Sequence, residues 1–311
     1  MDKYFLFFRN GALGDTLVLV PALVSIRRKF RNAKIALAGN TEVAQFLKAL
    51  NVIDEYLPAS LLLFLSIKNK NKLIRLFSKF SKVFLYTGQF EDITRGMKEV
   101  HTFPPLPKNE KNVYSYILST VKSCEVDIGD DIMPLNVLPE GLSCLLRRNE
   151  NIDILLHPRY DERSWGIDNF LSLLKAFLQA GCSSAKIIFG PSEREIYNVL
   201  KERYKNSILY SGDLFSAASY VLSARCIISD DSGFAHLSAN LGAETYIIFG
   251  PTSHTLWAPP MKNVKVIRST NITCAPCGDN YKACAEKICL TSITVEEIFN
   301  TILFFYVTCV A

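Results

Sequence analysis

Tyr4-Phe5-Leu6-Phe7-Phe8 is followed at once by Arg9-Asn10-Gly11-Ala12-Leu13-Gly14-Asp15, and then by a stretch, Thr16–Phe30, with apolar residues at helical spacing. A five-residue apolar run without alternation is the pattern of a strand covered on both faces. The glycine-containing segment after it reads as a turn. The basic end of the next stretch, Arg27, Arg28 and Lys29, suits a helix C-terminus, where positive charge is favoured. Strand, turn and helix in this order make the first step of a parallel β/α sheet. The pattern continues with a strand over Lys34–Ala38, a helix over Glu42–Leu50 and a short strand over Val83–Tyr86.

The second half begins the same alternation again. Strands are expected over Ile152–Leu156, Lys186–Phe189, Cys226–Ser229 and Glu244–Phe249. Helices are expected over Ile167–Ala180, Ser192–Arg203, Asp213–Ala224 and Gly233–Leu241. Between the halves, Pro134, Pro139 and Gly141 lie in a stretch of little periodicity, which places a linker near residues 135–150. The expected architecture is α/β, with two doubly wound Rossmann-like domains over residues 1–145 and 146–311. Such domains take ligands at the carboxyl ends of their strands, here facing a cleft.

Composition narrows the classes. The 311 residues are 49% hydrophobic and 21% charged, as in an ordinary globular protein. Residues 1–148 hold 21 Lys and Arg against 14 Asp and Glu, a net +7, whereas residues 149–311 carry a net −2. An anionic partner for the first half is one reading, and a solvated Lys-rich surface is the other. The apolar runs Leu57–Ile67 and Ile302–Ala311 fall short of the roughly 20 residues of a spanning helix. Tyr4–Phe8 is too short for the core of a secretory signal. A cytoplasmic protein is therefore expected, with its cysteines as thiols or metal ligands.

Four constellations carry chemistry. In the first, Gly11 and Gly14 let backbone approach a ligand ahead of a helix start. Their spacing is not that of a dinucleotide fingerprint. Asp15 is either a helix cap or a general base that takes a proton from an incoming hydroxyl. In the second, Asp230-Asp231-Ser232-Gly233-Phe234-Ala235-His236 follows an apolar strand and opens a helix. The amides there, the Ser232 hydroxyl and the His236 ring would hold a diphosphate. Otherwise Asp231 and Ser232 only cap the helix and His236 packs inside. A second tight turn, Phe249-Gly250-Pro251-Thr252, ends the next strand. In the third, His157-Pro158 ends a strand shortly before Arg163-Ser164-Trp165, so Arg163 binds a phosphate or lies on the surface beside an aromatic staple. In the fourth, Cys274, Cys277, Cys284 and Cys289 fall within 16 residues. They form a small structural zinc site or stay free thiols. Cys124, Cys144, Cys182, Cys226 and Cys309 are scattered and read as core.

Taken in order, these segments resemble glycosyltransferase family 9, the heptosyltransferases of lipopolysaccharide assembly. The resemblance rests on the Arg9–Asp15 loop with Pro21-Ala22-Leu23, on His157-Pro158 with Arg163-Ser164-Trp165, and on Phe189-Gly190-Pro191-Ser192-Glu193. The run Asp231–His236, the turn Phe249–Thr252, and Cys289-Leu290 with Ile293-Thr294 complete it. It implies the GT-B fold, with acceptor on the first domain and donor on the second. It also implies an inverting, metal-independent transfer from a nucleotide-diphosphate sugar, ADP-heptose above all, onto a lipopolysaccharide-core or other anionic saccharide. No cofactor is required. Asp15 takes the place of the family's catalytic base, and Gly11 and Gly14 lie near the acceptor. Arg163 stands where the family usually has lysine beside the diphosphate. Ser232, Gly233 and His236 would hold the phosphates, Asp231 the donor sugar and Glu193 the ribose. Two positions depart from the family. Arg159-Tyr160 is bulky where glycine and small hydroxyl residues are usual, and arginine at 163 keeps the charge but changes its geometry.

Lys68, Lys70, Lys72, Arg75, Lys79 and Lys82 are interleaved with Leu73, Ile74, Leu76, Phe77 and Phe80. They are expected to form an amphipathic basic helix. It would either meet an anionic membrane surface or lipid-linked acceptor, or serve as a solvated face. Localisation follows as cytoplasmic, peripheral on the inner face of the inner membrane. The alternative to an enzyme is a catalytically silent sugar-nucleotide-binding or scaffold protein of the same fold. A nucleic-acid partner is not expected, because the region around Cys274–Cys289 balances Asp279 and Glu286 against Lys282 and Lys287.

Overall fold

The computed structural model describes residues 3–109, 111–129, 131–132, 134–135, 151–270 and 272–310, with the side chains of 279 and 304–310 excepted. The expected linker at 135–150 lies outside the described residues but for Leu135, as do Cys144 and the side chain of Cys309. The chain divides into two compact units. One is Met1–Leu145 with Pro259–Met261, and the other is Leu146–Ala258 with Lys262–Ala311.

In the first unit the strands β1 (Tyr4–Phe8), β2 (Lys34–Gly39), β3 (Glu55–Pro58), β4 (Lys82–Tyr86) and β5 (Val100–Phe103) make a parallel sheet in the order β3-β2-β1-β4-β5. The central strand is buried on both faces, and Phe5, Leu6, Phe7 and Phe8 are each no more than 1% exposed. On one face Phe8 meets Phe90 edge-on at 5.0 Å, and elsewhere in the sheet Phe7 stacks on Phe84 of β4 at 4.7 Å. Each such ring contributes roughly 1.5–3 kcal/mol by leaving water. The unalternating apolar run therefore has a direct cause: β1 has no solvent face.

Two helices differ from expectation. The helix expected over Thr16–Phe30 opens earlier and is interrupted, as α1 (Leu13–Leu17) and α2 (Val20–Lys29). Pro21 has no N–H to give the Leu17 carbonyl, so the ladder breaks one turn before it. Leu19 N–H turns to Thr16 O instead, at 3.1 Å. The single basic helix is also two, α4 (Ala59–Lys68) and α5 (Lys70–Phe77), α3 being Thr41–Ala49. Asn69 divides them and caps α5, its side chain accepting from Lys72 N–H at 3.0 Å. Lys79 lies beyond α5, and Lys82 belongs to β4, where it pairs with Glu99 at 3.0 Å.

In the second unit β6 (Ile152–His157), β7 (Lys186–Phe189), β8 (Ile208–Tyr210), β9 (Ala224–Asp230), β10 (Thr245–Ile248) and β11 (Val264–Ile267) form another parallel sheet, in the order β11-β10-β9-β6-β7-β8. Both sheets reverse direction beside their first strand, between β1 and β4 and between β6 and β9. Ligands of doubly wound sheets bind at such switch points. The helix Ile167–Gln179 covers one face, with Phe170, Leu173, Leu174 and Phe177 buried. Trp165 is 3% exposed. It donates its ring N–H to Ile293 O at 2.8 Å and meets Phe170 edge-on at 5.2 Å, so it is the aromatic staple of this unit. Cys124, Cys182 and Cys226 are buried, as expected of core thiols.

Candidate functional site

At the first switch point, the chain leaves β1 through Arg9 and turns at Gly11, whose φ is +155°. The Asp15 side chain folds back over this turn. One carboxylate oxygen accepts Ala12 N–H at 3.0 Å, and the other is 3.7 Å from the Arg9 guanidinium. A Cβ at Gly11 would lie 2.6 Å from the Asp15 Cβ and Oδ2, so glycine is required for the carboxylate to rest there. Arg9 is 2% exposed and donates Nε–H to Asp15 O at 2.7 Å and Nη1–H to Pro105 O. Burial lowers its pKa, which the Asp15 charge partly opposes. Asp15 sits inside the first turn of α1 and not at the N-cap, which is Ala12 and has no side-chain acceptor. About a third of its side chain is exposed (35%), so the carboxylate caps the turn and still faces solvent. Gly14 lies within α1, and Thr16 ties the loop to the next strand by accepting Asn40 N–H at 3.0 Å.

At the second switch point one buried carboxylate organises two loops. Asp230, at the end of β9, is fully buried. Its Oδ2 accepts Arg159 N–H and the Ser164 hydroxyl, both at 2.9 Å, and its Oδ1 accepts Trp165 N–H at 3.0 Å. Burial pushes its pKa up to about 7, against the pull of these donors and of the Arg159 charge. The loop from β6 to Trp165 is thereby moulded on the end of β9. His157, at the end of β6, stacks on Phe234 at 4.2 Å and contacts the Ser229 hydroxyl at 3.3 Å. Burial, then Arg159, pushes its pKa down to about 3, so its ring is neutral and serves as a packing surface.

Arg159 and Arg163 converge on Asp161. Arg159 donates Nε–H to both Asp161 oxygens at 3.1 Å, and its Nη2 also reaches Oδ2. Arg163 gives Asp161 its backbone N–H at 2.9 Å and Nη2–H at 3.1 Å. Burial raises the Asp161 pKa, but the two arginines outweigh it and bring it down to about 2. Arg159 also donates Nη1–H to Asp231 O at 2.5 Å. Arg163, about a third exposed, lies 5.8 Å from the centre of the Tyr281 ring.

Ser232 is the N-cap of the helix Gly233–Asn240, and its hydroxyl accepts Ala235 N–H at 3.3 Å. His236 N–H bonds Ser232 O at 3.2 Å. Ahead of these in the turn stand the N–H groups of Gly233 and Phe234, the kind of donors that hold anions at a helix start. The Asp231 side chain accepts the Thr252 hydroxyl at 2.6 Å, which joins the Phe249–Thr252 turn to this cluster. His236 is 5% exposed and lies edge-on to Trp257 at 6.4 Å. Glu193 is buried in the turn after β7, where Oε2 accepts Gly190 N–H at 3.0 Å. Burial raises its pKa, while Arg159 lowers it and Asp161 raises it.

The second unit thus gathers Arg163, Glu193, Asp231, Ser232, Gly233 and His236 around the ends of β6, β7 and β9, and Asp15 stands by itself in the first unit. Asp230, Arg159 and Asp161 shape these loops, and the sequence does not single them out for this. The signal was present in the pair Asp230-Asp231 at the end of an apolar strand: one of the two must be buried and needs donors. Cys274 and Cys284 are exposed while Cys289 is buried at the edge of the core. Among the described residues no group of three or more His, Cys, Asp or Glu is placed to hold a metal ion. The four thiols still lie within electrostatic reach of one another, since Cys277, Cys274 and Cys284 each add to the rise that burial causes in the Cys289 pKa.

The sequence profile of glycosyltransferase family 9 (heptosyltransferase) matches residues 136–288. Lipooligosaccharide heptosyltransferase 2 of Campylobacter jejuni serotype O:2 is 23% identical over 311 residues, covering 93% of each chain. Among solved structures, Escherichia coli heptosyltransferase WaaC with ADP superposes with a TM-score of 0.70 at 16% identity, over 96% of this chain and 98% of that one. E. coli ADP-heptose lipopolysaccharide heptosyltransferase II gives 0.72 at 14% identity over the whole of both chains. Two doubly wound parallel sheets of this kind are the GT-B fold that these structures share. The candidate residues expected from the sequence fall within the motifs that carry the family resemblance, whereas Arg159 and Asp161 lie between them. The chain is similar to glycosyltransferase family 9, over residues 136–288 in the family profile and over 93% of its length in the Campylobacter relative.

Proposed function

We propose that the chain transfers heptose from ADP-heptose onto an anionic saccharide of the lipopolysaccharide core, with inversion at the anomeric carbon. The observation that carries the donor half of this reading is that Arg163 shares Asp161 with Arg159, which holds the Asp231 carbonyl next to the Ser232-capped helix start. Asp15 accepts the proton of the acceptor hydroxyl, whose oxygen bonds to the anomeric carbon. The bond from that carbon to the β-phosphate oxygen breaks, and the leaving ADP keeps the electron pair. Arg163 and the amides of Gly233 and Phe234 stabilise the charge that grows on the diphosphate. His236 adds a donor to it, Asp231 orients the sugar and Glu193 binds the ribose hydroxyls. The relatives support this reading, since they are heptosyltransferases and one was solved with ADP.

Calorimetry with ADP, UDP, GDP, CMP and NAD, without added metal, tests the donor. ADP is expected to bind best, and Arg163→Ala to weaken it about 10- to 100-fold, the loss of one charge-assisted phosphate contact. Stronger binding of another nucleotide would reassign the donor. Absence of nucleotide binding would favour a silent scaffold of the same fold.

The acceptor reading includes peripheral contact with an anionic bilayer on its cytoplasmic side. No helix among the described residues is long and apolar enough to cross a membrane. Leu61, Phe64 and Ile67 recur along one side of α4, and are 40%, 58% and 75% exposed. Lys68, Lys70, Lys72 and Arg75 are exposed just beyond them. Exposed apolar side chains beside cations match an interfacial helix. Co-sedimentation with phosphatidylglycerol vesicles is expected to fall about tenfold or more when Leu61, Phe64 and Ile67 are all changed to serine. Equal binding to neutral vesicles, or no loss in the triple variant, would remove this contact.

A further inference from the structure

We propose that Arg159 is a second diphosphate-binding residue, and that Asp161 is a displaceable internal counter-ion which holds both arginine forks until the diphosphate takes its place. This deepens the donor reading above and rests on it.

Position comes first. Arg159 is the second residue after β6, and β6 pairs with β9, so the turn carrying Asp230 and Asp231 lies alongside. Its backbone N–H is fixed on Asp230 and its Nη1 on the Asp231 carbonyl, one residue before the helix cap Ser232. The guanidinium is therefore anchored beside the helix start that the donor reading gives to the diphosphate. Its side chain is only 17% exposed, so the anchored fork does not swing freely in solvent.

Occupancy comes second. The Nε edge of Arg159 and the Nη2 of Arg163 both point at one carboxylate. Two planar forks converging on a pair of oxygens is the geometry that also binds phosphate oxygens. Asp161 is itself 38% exposed and is held by these arginines and by the Arg163 backbone N–H. It can turn outward without opening the core. The Arg163 Nε, in contrast, is buried without an acceptor, so the fork is not saturated by Asp161. One carboxylate satisfies two guanidinia incompletely, and a diphosphate offers more oxygens and more charge.

Charge comes third. With Asp161 in place, the pair of arginines nets a single positive charge, and Glu193 feels both Arg159 and Asp161. Displacement of Asp161 returns two full cations to the ligand. The gain scales with ligand charge, so the device favours a nucleoside diphosphate over a monophosphate.

Calorimetry with ADP and AMP on the full chain and its variants tests this. Arg159→Ala is expected to weaken ADP about 10- to 30-fold and AMP by less than threefold, so the ADP-to-AMP preference shrinks. Arg159→Lys, which keeps the charge without the fork, should fall between. Asp161→Asn retains an acceptor for the Arg163 N–H but removes the competing charge, and should tighten ADP by about three- to tenfold. If Asp161→Asn weakens ADP, the carboxylate positions the arginines and is not displaced. If both Arg159 variants leave ADP unchanged while Arg163→Ala weakens it, Arg159 only ties the two loops together and the proposal fails although the donor site stands. If Arg163→Ala is silent as well, the donor reading itself is overturned.

Discussion

Asp15→Asn is expected to lower kcat for heptosyl transfer by about 10³-fold and to leave ADP affinity within about twofold of the unsubstituted protein. The size is that of a lost general base, typically 10²–10⁴-fold. Asparagine is the informative replacement because the carboxylate has two roles. One oxygen caps the turn through Ala12 N–H, and the other faces the Arg9 guanidinium. The asparagine carbonyl can keep the first bond and the volume over Gly11, while the amide cannot take a proton from a sugar hydroxyl. A purely structural Asp15 would show the reverse pattern: kcat nearly intact in Asp15→Asn, and a lowered melting temperature in Asp15→Ala. Single-turnover measurement with saturating donor separates these outcomes, because product release then does not mask the chemical step.

The reach of the sequence is clearest where burial is complete. Strands β1 and β7 and the helix Ile167–Gln179 were legible almost to the residue, since an apolar run or a 3.6-residue stripe has one strong explanation. Strands β3, β5, β8 and β11 were not. They are three or four residues long and lie toward the outside of their sheets, with residues such as Glu55, Val100 and Lys265 only partly covered or exposed. Little periodicity survives in so short an edge strand. Helix interruptions were missed for a related reason. The apolar stripe runs on through Pro21 and through Asn69, and only the hydrogen-bond ladder breaks.

The candidate site was legible in its outline and not in its wiring. Glycines at a turn, Asp231-Ser232-Gly233 at a helix start and Arg163 before Trp165 all announce anion chemistry by residue type. What residue type does not reveal is which acid goes inside. Asp230 and Asp231 are chemically identical neighbours. Because β9 ends at Asp230, that side chain turns inward while Asp231 faces the Thr252 turn. Arg159 looked like an obstruction in the sequence because its bulk departs from the family. In the fold its length is used: one edge binds Asp231 O and another binds Asp161. The departure thus alters the charge of the site more than its volume.

The largest stability effect is expected at that inward acid. Asp230→Ala leaves Arg159 N–H, Trp165 N–H and the Ser164 hydroxyl without their acceptor, in a place with no exposure. Orphaned buried donors cost about 1–3 kcal/mol each, and partial relaxation of the loop brings the expected loss to about 3–5 kcal/mol. Both tryptophans, Trp165 and Trp257, belong to the second unit, so their fluorescence during urea unfolding reads that unit alone. Asp230→Asn is the gentler variant and tests the titration. The folded pKa of about 7 exceeds the roughly 3.9 of an unfolded aspartate. The folded state therefore holds the proton more tightly between these values. The contribution of this group is full below about pH 4 and is lost as pH rises toward 7, at most about 1.4 kcal/mol per pH unit. The stability advantage of the unsubstituted protein over Asp230→Asn should thus be larger at pH 5 than at pH 8. A flat or reversed difference would mean that the three donors and Arg159 outweigh burial and keep the carboxylate ionised throughout. The loop from β6 to Trp165 would then be strongest at neutral pH, and acidification would loosen the same contacts that place both arginines.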